Sequence, residues 1–215
     1  MNIPIFPLQL IVFPGESLNL HIFEQKYRQL FADLKSGSIT FFGIPPVVDH
    51  QMHAFGTRLI LTDIVKNYPG GEMDVSTQGI DVFKLGGILA NSGQKLYAEA
   101  TVDLITHDSS YDFLKFEELR GLYLEFQDLM AAQKEIDVVD GDGYSFKIAH
   151  YIGLSEVQKL ALLEIVSEFD RQDYLIQHLK LIIPSMRNIK ETQARITANG
   201  HFKNLKSFNF TQGES

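Results

Sequence analysis

Apolar residues change their spacing once along this chain, near Thr106, and that change limits the fold more than any other feature. Before it, apolar and polar residues alternate in short runs punctuated by Pro and Gly, the period of half-buried strands. After it, apolar residues recur every three or four positions, as on helices with one buried face. An α/β fold would interleave the two periods; segregated periods predict α+β. The reading is a β-rich part over residues 1–107, a helical bundle over 108–198 and an irregular tail over 199–215.

In the first part, Ile3–Phe6 is a β-branched and aromatic run ended by Pro7, and Leu18–Ile22 follows a Pro14-Gly15 turn. Phe23, Tyr27, Leu30, Phe31 and Leu34 share one helical face with Gly37 as the stop, which predicts a helix over Phe23–Lys35. Ile39–Ile44 is a strand closed by Pro45-Pro46. Phe55–Val65 and Met73–Leu85 flank Tyr68-Pro69-Gly70-Gly71 and predict a long hairpin. In the last strand, Leu96–Ile105, the residues Leu96, Ala98, Ala100, Val102 and Leu104 are expected to face one way. Six short strands and one helix suggest a small, partly closed barrel.

In the second part, Phe113, Phe116, Leu119, Tyr123, Phe126 and Met130 predict one helix unbroken through Gly121. Ala131–Gly143 is read as a loop ending in Asp140-Gly-Asp142-Gly. Ser155 and Gln158 form a capping box for a helix that is apolar almost all round and therefore expected in the middle of the bundle. Asp170 is expected to cap the next helix, with Pro184 kinking it and helix resuming to about Ala198. The stretch 108–142 carries net charge −7 and 180–206 carries +5. These two either face each other or are simply solvated or, in the sharper reading, the acidic helix docks a basic partner.

Catalytic motifs fail one after another. Gly86, Gly87 and Gly93 lack the spacing of a phosphate-cradling loop, and G-x-S-x-G and H-E-x-x-H are absent. Ser92-Gly-Gln-Lys95 has serine–lysine spacing, but it lies in a turn between strands, where no helix aligns amine and hydroxyl. His50 and His53 beside Asp49 lack a third ligand on a rigid element, so no metal site is expected. In a calcium-loop reading of Asp140-Gly-Asp142, the bidentate acid position would fall on Tyr151. With no cysteine, thiolate metal sites and cysteine nucleophiles are excluded. A net charge of −8 argues against nucleic acid or anionic membrane as partner. The apolar start has no basic residue before Lys26 and is broken by Pro4, Pro7 and Pro14, so a cytoplasmic protein is expected.

The opening pattern Ile3-Pro-Ile-Phe-Pro-Leu8, Val12-Phe-Pro-Gly15, Leu18-x-Leu20 and Ile22-Phe-Glu-x-x-Tyr27 resembles the N-terminal, substrate-binding domain of the ATP-dependent protease Lon, in its stand-alone form. Phe55-Gly-Thr57, Tyr97-Ala-Glu-Ala100, Ile148-Ala-His150 and the segment from Gln158 to Glu164 extend the likeness, which covers about residues 3–183. The resemblance implies a PUA-like pseudo-barrel followed by a helical bundle. It also implies a non-catalytic module that binds unfolded or extended polypeptides, as an adaptor or holdase, with a separate protease as a further partner. No counterpart of the ATPase or the serine–lysine protease of Lon is expected, and no cofactor is implied. A PUA-like RNA- or small-ligand-binding module is the alternative, on fold analogy alone.

The family-motif residues carry over as Phe13, Pro14, Gly15, Phe23, Glu24 and Tyr27. Their expected role is structural: Pro14-Gly15 sets a turn, while Phe23 and Tyr27 anchor the helix against the barrel. A client is expected in a cleft between the halves. It would be lined by an exposed apolar patch on the loops Leu10–Phe13 and Pro45–Val48, with Leu10, Ile11, Phe13, Val47 and Val48 as contacts.

Overall fold

The alternating part of the chain forms β1 (Asn2–Pro4), β2 (Ser17–Ile22), α1 (Gln25–Ser36), β3 (Phe42–Ile44), β4 (Val47–Val48), β5 (Gln51–Met52), β6 (Phe55–Asn67), β7 (Met73–Leu89) and β8 (Glu99–Ile105). The computed structural model describes residues 1–89, 93, 95–108, 110–130 and 143–206, with 198–206 as backbone only. One antiparallel sheet runs β1-β8-β7-β6-β3. The long β7 organises it: β6 lies along one side, while β2 and β8 share the other, at residues 73–78 and 82–89. Register shifts in β6 bend the ribbon, as bulges do. The sheet's two ends then meet, because Ile5 bridges Gly43 and the Phe6 N–H donates to the Gly43 carbonyl at 2.8 Å. A Cβ on Gly43 would stand 2.7 Å from the Phe83 ring, so closure at this point requires glycine.

Helix α1 covers one mouth of the barrel with Tyr27, Leu30, Phe31 and Leu34, and ends at Gly37 with φ 76°. Leu30 and Phe31 are wholly buried, each a contribution of about 1.5–3 kcal/mol. Phe23 does not join them. Glu24 is the extended N-cap, so the chain before it leaves the helical face and Phe23 is 62% exposed. In the last strand Ala100 and Val102 point inward as expected, but Leu96, Ala98 and Leu104 are exposed and Tyr97 is wholly buried. Pairing begins only at Glu99, so alternation does not extend back to Leu96. Instead Tyr97 donates to the Asp33 carboxylate at 2.7 Å, and burial followed by that bond raises the phenol's pKa.

The helical part forms α2 (Phe113–Met130), α3 (Tyr144–Ile148), α4 (Glu156–Glu164) and α5 (Glu168–Lys206). Helix α2 passes unbroken through Gly121, and the Ser155–Gln158 capping box closes in both directions at 3.3 and 2.9 Å. Helix α4 is not a central bundle helix: Ile165 is extended, Val157 is 70% exposed, and the helix packs against β6. Ser167 rather than Asp170 caps α5, its Oγ accepting the Asp170 N–H at 3.4 Å. Helix α5 contains Pro184 and continues past Ala198 and Asn199-Gly200 to Lys206, further than the sequence pattern indicates. The loop 131–142 with Asp140 and Asp142, and the tail beyond 206, lie outside the described residues. The acidic and basic segments face each other: Lys180 pairs with Glu118 at 2.6 Å, Arg187 with Glu125, and Lys190 with Asp128 at 3.1 Å. One buried cluster crosses from barrel to helices, joining Ile11, Phe13 and Val82 to Phe116, Phe146 and Leu175.

Candidate functional site

Where the barrel meets the helices lies a cleft of about 540 Å³, within the range of ligand pockets. Pro14 and Gly15, the corner of the turn Phe13–Glu16, line it. Pro14 fixes φ at the second position, Gly15 has φ 81° at the third, and the Glu16 N–H donates to the Phe13 carbonyl at 3.1 Å, a type II turn. Gly15 donates to the Gly79 carbonyl and Gly79 to the Glu16 carbonyl, both at 2.9 Å, which lays the turn across β7. A Cβ on Gly79 would stand 2.5 Å from the Phe13 oxygen, so this crossing also depends on glycine. The Glu16 carboxylate accepts the Phe13 N–H at 2.9 Å and holds His150 Nε2 at 3.1 Å. The Phe13 ring stacks on Phe146 at 5.3 Å, so the turn is pinned to both halves.

The barrel side of the cleft carries Arg58 of β6 and Asp81 of β7, register partners that form an ion pair. The Arg58 guanidinium also lies 4.1 Å from the centre of the Phe41 ring. Val82 pairs with Ile105 across β7 and β8, which brings the segment after Ile105 alongside Asp81. His107 sits there, its ring 5.5 Å from Phe146. Burial, and then the Arg171 charge, push its pKa down to about 4 against a smaller opposing effect of Asp81, so the imidazole is neutral at pH 7.

The helical side holds Phe146, Lys147 and Arg171. Arg171 is almost wholly buried, and every guanidinium nitrogen has an acceptor. Nε donates to Ser145 Oγ and Glu168 Oε2 at 3.0 and 3.1 Å, Nη1 to the carbonyls of Ile165 and Val166 at 2.8 and 2.9 Å, and Nη2 to Glu168 Oε2 at 2.8 Å. Glu168, itself fully buried, also accepts the Ser145 N–H at 3.1 Å and its hydroxyl at 2.7 Å. By contrast, Arg58 Nε and His107 Nε2 are buried with no hydrogen-bond partner among the described residues. The remaining such atom, Gln172 Oε1, lies in the Arg171–Glu168 network.

The expected contact residues sit elsewhere. Ile11 and Phe13 are 7% and 0% exposed, Leu10 is half-buried, and no apolar patch forms on this loop because it folds onto the core. Val47 and Val48, expected in a loop, are half-buried in a hairpin with Gln51 and Met52, turned at Asp49 and His50 with φ 49° and 62°. That turn has the positive dihedrals of type I′. The Val47 N–H donates to the Leu8 carbonyl at 2.8 Å, and Val48 packs against the helical core. Of the family-motif residues, Pro14 and Gly15 line the cleft and Phe13 lies beneath the turn. Glu24 caps α1 with its carbonyl and Tyr27 packs in the barrel core.

His53 lies 3.5 Å from Glu164, and no group of three His, Asp or Glu among the described residues could hold a metal. Ser92 is outside the described residues, and Lys95 bonds Glu99 at 2.7 Å. No described helix is long and apolar enough to cross a membrane. Sequence reasoning missed Arg58, Asp81, His107 and Arg171, which come from four separate elements or linkers and share no motif.

The model of the ATP-dependent protease La (LON) substrate-binding domain matches residues 2–181. Among solved structures, a Lon N-terminal domain protein from Xanthomonas campestris superposes with a TM-score of 0.63 at 20% identity, covering 82% of this chain and 98% of that one. The N-terminal domain of a Mycobacterium avium complex Lon protease superposes with a TM-score of 0.65 at 19% identity, covering 84% and 98%. No curated protein sequence matches the chain.

Proposed function

Because the chain belongs to the Lon substrate-binding domain family, we propose that it is a non-catalytic module that captures unfolded or extended polypeptides, acting as an adaptor or holdase. The observation that carries this reading is the cleft between barrel and helices, where apolar side chains and hydrogen-bonding groups line one space. Such a mixture suits a polypeptide, whose backbone needs polar partners and whose side chains need apolar walls. The residues 1–107 and 108–198 then act as the two jaws, held in fixed relation by the shared cluster around Phe13 and Phe146. The client handed on would go to a separate protease in an adaptor role, or be released to refold in a holdase role.

The test is binding of a permanently unfolded, reduced and alkylated protein, followed by fluorescence anisotropy or calorimetry. Binding in the micromolar range, weakened by Leu104→Asp at the cleft wall, is the expected result. Leu104 is 39% exposed, so the substitution is expected to leave the melting temperature nearly unchanged. Absence of binding at tens of micromolar defeats the reading.

A further inference from the structure

Strand β6 has 13 residues, yet its outer side is covered only where β3 pairs with Thr57–Leu59. The chain ahead of β3 bends away, because the Ile39 N–H donates to the Asp33 carbonyl at 3.4 Å and so stays with the end of α1. From Ile60 to Lys66, β6 pairs with β7 on one side, and no strand among the described residues pairs with the other. A groove of about 610 Å³ runs there, with Ile60 through Ile64 on one lip and Leu34, Ile39 and Thr40 opposite. Successive side chains of a strand point to opposite faces, so five consecutive residues line one space when it lies against the strand's edge.

The edge itself selects the occupant. Unpaired N–H and C=O groups at strand spacing are matched by another extended backbone, not by a helix. Leu34 is buried, and Ile39, Leu61 and Ile64 are half-buried against the barrel core, so the floor suits apolar side chains. The charges lining the groove are Lys35 and Asp63, one of each sign and neither ion-paired among the described residues, so net charge does not decide what enters. A second copy of the chain is the competing occupant. Against it, register shifts after Leu61 and Ile64 twist the edge, and a two-fold pairing centred on this stretch brings the exposed Asp63 carboxylates together. Bulges and charges of this kind blunt pairing between two rigid edges, whereas a flexible segment follows the twist.

We propose that Ile60–Lys66 is a docking edge to which an extended polypeptide segment adds as a strand, its alternate side chains entering the groove between β6 and Ile39–Thr40. This rests on the polypeptide-binding reading and gives it a second surface, which shares no lining residue with the cleft.

The probe is a labelled peptide of about nine residues, valine alternating with threonine between one lysine and one glutamate. Two twins carry the same side chains, one N-methylated at the valines and the other at the threonines. Only alternate N–H groups of a strand face its neighbour. Anisotropy titrations with the whole chain are therefore expected to show one twin weakened at least about tenfold and the other binding as the parent does. Amide exchange at Ile60–Lys66 should slow at least about threefold with the parent peptide bound. Leu61→Lys should weaken the parent about tenfold, its aliphatic stem keeping the half-buried position covered, with the melting temperature as the check on folding. The exchange measurement on the unaltered chain decides the matter even where that variant is unstable. Both twins binding like the parent, or slowed exchange confined to other parts of the chain, overturns the proposal. So does a dimer in sedimentation equilibrium that Leu61→Lys dissolves, since the second copy would then be the occupant. If the reduced and alkylated protein still binds in any of those cases, polypeptide capture stands and only the docking edge falls.

Discussion

Two arginines border the same cleft and are treated in opposite ways. Arg171, on α5, is buried with an acceptor for every nitrogen and a buried carboxylate at 2.8 Å. Arg58, on β6, has one carboxylate partner, an aromatic face and an orphaned Nε. A saturated guanidinium has no donor left for a ligand and serves to fix the chain: with Glu168 it ties the start of α3 to the start of α5 and to the carbonyls that end α4. An unsaturated one retains hydrogen-bonding capacity. The difference separates a wall whose donors are all used within the fold from one that keeps an unpaired donor among the described residues.

The largest expected effect comes from breaking the saturated side. Glu168→Ala leaves the Arg171 charge buried without its counter-charge and should destabilise the fold by roughly 3–5 kcal/mol. In a chain of this size that lowers the thermal midpoint by about 10 °C, read by circular dichroism. A drop of only one or two degrees would mean that the network is not a structural clamp.

His107 probes the unsaturated side. Its pKa is about 4 folded, against an ordinary 6.5 unfolded, so between those values the unfolded state binds more protons. Stability therefore rises with pH through that window and is lost on acidification from pH 7 to 4. Burial, the largest cause, and Arg171 drive this, while Asp81 opposes it. The contribution is on the order of 2–3 kcal/mol, and His107→Phe should flatten that part of a urea-unfolding series against pH. An unaltered profile would place the protonation elsewhere.

The rim turn tests whether the two sides are held in register. Gly79→Ala drives a methyl into the Phe13 carbonyl and should cost about 1–3 kcal/mol. It should also weaken peptide binding, since Pro14-Gly15 shifts with the crossing it rests on. Loss of stability with binding intact would show that the turn is scaffold alone.

How much of this was legible beforehand follows from where each signal resides. The Pro14-Gly15 turn, the α1 stop at Gly37 and the Ser155–Gln158 box are local chemistry, and all three stand in the structure. Segregated periodicity likewise conveys the α+β architecture. Phe23 misleads because helical spacing continues one residue beyond the cap that breaks it, and Leu96 because alternation begins before the strand pairs. The cleft was anticipated as a place between the halves but not by its lining. Arg58 and Asp81 meet across a register, His107 follows a strand end, and Glu168–Arg171 has the i, i+3 spacing of an ordinary surface pair. Burial makes them distinctive, and burial of that kind is a tertiary property.

The smallest expected effect lies on the outer faces of the helices. The Lys180–Glu118, Arg187–Glu125 and Lys190–Asp128 pairs join α2 to α5, and they explain why an acidic stretch and a basic stretch coexist in one chain. Yet each is largely exposed, with Asp128 82% exposed, so water and salt screen the attraction and ordering two long side chains offsets it. A double-mutant cycle on Lys190 and Asp128 should give a coupling of roughly 0.2–1 kcal/mol, falling further in about 0.5 M salt. The same cycle on Glu168 and Arg171 should give several times more and be insensitive to salt, because no ion reaches a pair that is 0% and 2% exposed. Equal couplings at the two places would mean that burial does not set the worth of an ion pair here, and the reading of the Arg171 network as a clamp would fail with it.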